Sequence, residues 1–96
     1  MLPGRDELGQ TFAELFELPE DIMLQLPVIF LAGNRHLYVE NHKGIIEYRS
    51  DLLRLRITGG QLILNGTRFL IEELKERDIL IKGDLTALEF EYIEEG

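Results

Sequence analysis

Leu52-Leu53-Arg54-Leu55-Arg56-Ile57-Thr58-Gly59-Gly60-Gln61-Leu62-Ile63-Leu64-Asn65-Gly66 is the stretch whose periodicity decides the fold. Leu53, Leu55 and Ile57 alternate with Arg54, Arg56 and Thr58. Successive side chains of an extended chain point to opposite faces, so this segment reads as a strand with one dry and one wet side. Gly59-Gly60 reads as a turn, since it lacks the further glycines and following helix of a phosphate-cradling loop. Leu62-Ile63-Leu64 is apolar on both faces and needs cover on each. Asn and Gly both tolerate the positive φ of a type I′ turn, so a tight hairpin is expected at Asn65-Gly66.

The same rhythm extends in both directions. Leu88, Phe90 and Tyr92 alternate with Glu89 and Glu91, while Ile45-Ile46 and Ile79-Leu80-Ile81 are apolar on both faces. Turn signals stand at Gly33-Asn34, 41–44, Ser50-Asp51, 75–78 and Gly83-Asp84. This pattern predicts an all-β fold, a small antiparallel sandwich or meander of about 7–9 short strands. Residues 68–77 carry many helix formers, and a helix competes there. A strand from Arg68 to about Leu74 is favoured, because it continues from the expected hairpin. Upstream, Leu8, Phe12, Leu15 and Phe16 recur at helical spacing, and Thr11 with Glu14 has the form of a capping box. A helix over 8–17 is expected, ended by Leu18-Pro19. The expected organisation is an N-terminal helical arm, 1–18, and a β domain, 19–96. The even strand-and-turn spacing is that of any meander and indicates no internal repeat.

A chain of 96 residues has room for one domain. Its 18 acidic and 10 basic residues give a formal charge of −8, which disfavours phosphate backbones and so a nucleic-acid partner. It contains no cysteine, which removes disulfides and thiolate chemistry. The N-terminus lacks the pattern of a signal peptide, and the apolar run 22–32, interrupted by Gln25 and Pro27, is too short to span a bilayer. A cytoplasmic location without a membrane span is expected.

Chemistry-bearing groups are sparse. On a straight strand His36, Tyr38, Glu40 and His42 share a face, yet zinc needs three or four converging ligands, and residues two apart are separated by roughly 6–7 Å. The one serine, Ser50, lies in an expected turn with no nucleophile elbow around it. The expectation is no catalytic residue, no metal and no cofactor. A metal-dependent or hydrolytic enzyme using His36, Glu40 and His42 is the competing alternative. Within 49–68, Arg49, Arg54, Arg56 and Arg68 stand against Asp51 alone, a local charge of +3. Arg54 and Arg56 lie on one side of their strand and would either meet an acidic partner or lipid phosphates, or pair with carboxylates of the same sheet. Open sheet edges offer a route to self-association.

Leu18-Pro19-Glu20-Asp21, Leu26-Pro27-Val28-Ile29, Leu31-Ala32-Gly33-Asn34, the stretch Val39-Glu40-Asn41-His42-Lys43-Gly44-Ile45, Glu47-Tyr48 and Leu62-Ile63-Leu64-Asn65-Gly66 resemble the YabP/YqfC family of sporulation proteins, and its YqfC branch most. The resemblance implies a small, non-catalytic β-rich protein, needed in the mother cell of an endospore-forming bacterium. It also implies work beside a membrane-protein partner, at or near the forespore membrane. The positions that match are Pro27, Gly33, Asn34, Glu40, Asn41, His42, Gly44 and Gly66. Gly33, Asn34, Gly44, Asn65 and Gly66 read as structural turns. Glu40, Asn41 and His42 read either as part of a turn or, with Arg54 and Arg56, as an exposed recognition feature.

Overall fold

The structure is a computed structural model and describes residues 25–93. The expected helix over 8–17, the arm 1–18 and the boundary at residue 19 lie outside the described residues. Six strands form one antiparallel sheet: β1 (Val28–Ala32), β2 (His36–Glu40), β3 (Ile45–Tyr48), β4 (Leu52–Ile57), β5 (Gly60–Leu74) and β6 (Asp78–Tyr92). Their order is β1-β2-β6-β5-β4-β3. The all-β antiparallel expectation therefore holds, and residues 68–74 are strand.

The long hairpin β5–β6 organises the sheet. Its first half joins Gly60–Thr67 to Asp84–Tyr92 and carries β4 beside β5. Its second half joins Leu70–Leu74 to Ile79–Lys82 and carries β2 beside β6. The two halves turn their apolar faces to one interior. Leu53, Leu55, Leu62 and Leu64 from one half and Leu37, Val39, Ile79 and Ile81 from the other lie in a single core cluster with Ile57 and Phe69. Eight leucine, isoleucine or valine side chains from two half-sheets, each contributing roughly 1.5–3 kcal/mol on burial, supply the driving force for doubling the sheet over.

The strand count is where sequence and structure part. Asn65-Gly66 is not a hairpin turn, and Gly83-Asp84 is not a turn either. Each lies inside a 15-residue strand, where the ladder slips between Asn65 and Gly66 and again between Thr67 and Leu70. The reason is tertiary. A Cβ on Gly66 would sit 2.1 Å from the Asp84 carbonyl oxygen and 2.7 Å from the Phe69 ring, and one on Gly83 would meet the same ring at 2.7 Å. Glycine is needed here for close backbone approach at a kink, not for chain reversal. Six strands among the described residues replace the larger number, because two punctuation marks bend strands instead of ending them.

The actual turns dock on these kinks. Gly66 and Phe69 donate their amides to the carbonyls of Asp51 (3.2 Å) and Ser50 (2.8 Å), so the β3–β4 turn seats against the β5 bulge. Gly83 and Leu85 donate to Arg35 (3.1 Å) and Asn34 (2.8 Å), seating the β1–β2 turn on the β6 kink. Tyr48 ties β3 to the bulge, its hydroxyl donating to the Phe69 carbonyl at 3.1 Å.

Candidate functional site

Glu40, Asn41 and His42 form the crossing by which the chain leaves one half-sheet for the other. The His42 amide donates to Arg77 carbonyl on the β2–β6 side (3.0 Å), and the Lys43 amide donates to Arg56 carbonyl on the β4 side (2.7 Å). Arg56 returns a bond to Gly44 carbonyl at 2.8 Å. Such a change of layer within four residues demands unusual dihedrals, and Asn41 adopts φ 67°. Its amide donates to the Leu26 carbonyl at 2.9 Å. His42 Nδ1 accepts from the Gly44 amide at 3.0 Å, which places the proton of a neutral imidazole on Nε2. All three side chains are buried, His42 to 3% exposure. The exposed recognition feature expected at 40–42 is thus a buried structural joint. Asn41 Nδ2 and His42 Nδ1 bond backbone here, as in a turn, whereas the buried His42 Nε2 has no hydrogen-bond partner among the described residues.

Asn41 also breaks the period-two alternation that would align the two imidazoles. His36 stays exposed at one end of β2, cross-strand from Lys82, while His42 is buried beyond the other end. The four residue steps from His36 to Glu40 span roughly 13 Å. Among the described residues no three His, Asp or Glu side chains converge as metal ligands would. Tyr38, between them, lies beside Glu40 and Asp78; burial first, then the Asp78 and Glu40 carboxylates, push its phenol above the ordinary tyrosine value.

The arginines of 49–68 separate in space. Arg54 lies on the outer face of β4, where Nη1 donates to Glu47 Oε1 (3.1 Å) and Nε to Gln61 Oε1 (2.8 Å). Gln61 passes the chain on to Glu91 at 2.9 Å. Arg49 pairs with Glu47 and Asp51, both at 3.5 Å, and Arg68 with Asp84. The reading in which Arg54 and Arg56 pair with carboxylates of their own sheet describes Arg54; Arg56 is exposed, and no ion pair to it is found among the described residues. Of the expected turns, Gly33-Asn34 joins β1 to β2 and Gly44 lies in the crossing, whereas Asn65 and Gly66 lie in the β5 bulge.

Two surface features stand out once the fold is known. The second half of β6, Asp84–Tyr92, pairs with β5 on one edge, and among the described residues no strand pairs with its other edge. Phe90 and Tyr92 stack there with centroids 6.1 Å apart and planes within 2°, and Tyr92 is 56% exposed. Separately, Arg35, His36, Arg68 and Lys82 gather at the kinks around Asp84. Glycines at 66 and 83 inside otherwise strand-like runs are the signal from which both kinks were readable. Nothing in the sequence spacing brings residues 35, 68 and 82 together.

These features define an all-β module whose polar joint is internal and whose open edge and charged corner face outward. The YabP family model matches residues 25–96, and the chain belongs to the YabP family. It is 34% identical over 86 residues to the uncharacterized protein YqfC of Bacillus subtilis (strain 168), covering 90% of this chain and 92% of that protein. No solved structure matches.

Proposed function

We propose that this protein is a non-catalytic assembly module of endospore development, acting in the mother cell with a membrane-protein partner. Membership of the YabP family supports the cellular setting. The observation that carries the mode of action is the edge of β6 over Asp84–Tyr92, which no strand among the described residues pairs, with Phe90 and Tyr92 exposed beside it. An unpaired edge supplies a row of backbone donors and acceptors that an incoming strand can complete, and aromatic side chains next to it anchor the addition. The incoming strand belongs to the partner. Attachment to the forespore membrane is assigned to that partner; among the described residues no helix is long and apolar enough to cross a membrane.

The test is complementation in a sporulating host lacking the chain's own counterpart. The native chain restores heat-resistant spores, and Phe90→Asp with Tyr92→Asp, folded by circular dichroism, fails to do so and loses membrane association in cell fractions. Full restoration by that variant overturns the edge, and normal sporulation of the deletion strain overturns the setting. Sedimentation of the purified chain distinguishes a partner strand from a second copy, because self-addition through β6 gives a dimer that the same variant abolishes.

A further inference from the structure

A second site lies at the opposite kind of surface, where the long hairpin bends. The β1–β2 turn is held to β6 by the Gly83 and Leu85 amides, and Asn34 adds a side-chain bond to Leu85 carbonyl at 3.1 Å. This fixes Arg35 over Asp84, with Nε 3.2 Å from Oδ1. From the other side Arg68 reaches the same carboxylate, its Nε 3.0 Å from Oδ2. His36, Lys82 and Leu70 form one cross-strand row alongside. The five polar residues and Leu70 line an open recess of about 370 Å³.

We propose that this recess binds a phosphate monoester. Three fixed cations, Arg35, Arg68 and Lys82, stand against one carboxylate, a local charge of +2 in a chain of −8. A single carboxylate would leave half of that excess unmatched, whereas a phosphate monoester carries about −1.5 to −2 at neutral pH. Asp84 takes Nε of both arginines and leaves both Nη of Arg35 and Nη1 of Arg68 without a bond to it. Both guanidinium groups are largely exposed, so those donors are open to a ligand and pre-aimed by the carboxylate below. A purely structural ion pair needs one arginine. Here two share the acid, and one of them, Arg68, holds φ 57°, a left-handed backbone that a non-glycine side chain seldom occupies. The recess falls within the usual size of small-molecule sites, large enough for the organic part of an ester against Leu70.

The phosphate would come either from a soluble ester or from a lipid headgroup, and two arms separate the sources. In the first, glycerol 3-phosphate is titrated into the ¹⁵N-labelled full chain. The expected result is a saturable shift of the Arg35, Arg68 and Gly83 amides. In the second, the chain is sedimented with phosphatidylcholine vesicles containing phosphatidic acid, and with pure phosphatidylcholine as control. Binding in the first arm identifies a soluble ester, and binding in the second alone a headgroup; either supports the site. Arg35→Gln and Arg68→Gly each weaken binding by about tenfold, the loss of a charge-assisted hydrogen bond. Glycine suits the left-handed backbone at position 68, so that variant keeps the fold. Arg56→Gln, an exposed arginine elsewhere on the sheet, leaves affinity unchanged. Binding of neither probe, or equal affinity of the Arg35 and Arg68 variants and the native chain, or an equal loss in Arg56→Gln, overturns the proposal.

Discussion

Among the described residues two non-glycine positions hold left-handed backbone, Asn41 at φ 67° and Arg68 at φ 57°, and their surroundings are opposites. At Asn41 the chain passes between half-sheets, and Glu40, Asn41 and His42 are buried. At Arg68 a strand bends without leaving its sheet, and the side chain reaches outward to share Asp84 with Arg35. Asparagine is among the residues that tolerate this conformation; arginine has no such aptitude. The first site therefore matches residue to backbone and serves closure of the fold. The second holds a mismatched residue where its charge meets solvent and Asp84.

The largest effect that would break this contrast is at the bulge itself. Gly66→Val puts atoms where the Asp84 carbonyl and the Phe69 ring already are, and the backbone must separate the two strands. A loss above about 4 kcal/mol, or failure to fold, is expected in chemical denaturation, since such values belong to overpacking and special backbone sites. A loss under about 1 kcal/mol would show that the bulge accommodates a side chain and that Arg68 is not held by it. Next comes the pair of histidines. His42→Ala opens a cavity and leaves the Gly44 amide without its acceptor, for an expected loss of about 2–4 kcal/mol. His36→Ala, on the exposed face, stays within about 0.5 kcal/mol. Equal losses would remove the distinction between joint and corner.

The smallest effect sharpens the corner. The hydrogen bond from Arg68 is the largest influence and, with the charges of Arg68 and Arg35, holds the Asp84 carboxyl below the ordinary aspartate value against the opposing effect of desolvation. A group with a lowered folded-state pKa contributes stability at pH above its unfolded value, about 3.9, and loses it as pH falls through the folded value. The stability difference between the native chain and Asp84→Asn is therefore constant near neutrality and shrinks at acid pH. A difference that persists unchanged below pH 3 would show that the two arginines do not act on this carboxylate.

The strands were legible because period two is a local property. Leu53, Leu55 and Ile57 are buried together against Leu62 and Leu64 as their alternation requires, and the weaker strand signal at 68–74 proved correct over a helix. Asn65-Gly66 misled for an equally local reason. A dipeptide able to take positive φ is consistent with a turn or with a bulge, and what selects between them is the carbonyl of Asp84, far along the chain from Gly66 and invisible to a short window. The same limit applies to His42, whose shared parity with His36 assumed a straight strand that Asn41 ends.

The order of residues alone thus determined an antiparallel sheet, its inward-facing leucines and isoleucines, and turns at 33–34 and 50–51, all set by dihedral preference and side-chain alternation over a few positions. Tertiary structure alone decided that two glycines bend strands, that Glu40, Asn41 and His42 lie inside, and that Arg35, Arg68 and Lys82 surround one aspartate. Those outcomes depend on which distant backbone approaches which. That is determined only when the long hairpin doubles over and the two half-sheets exclude water between them.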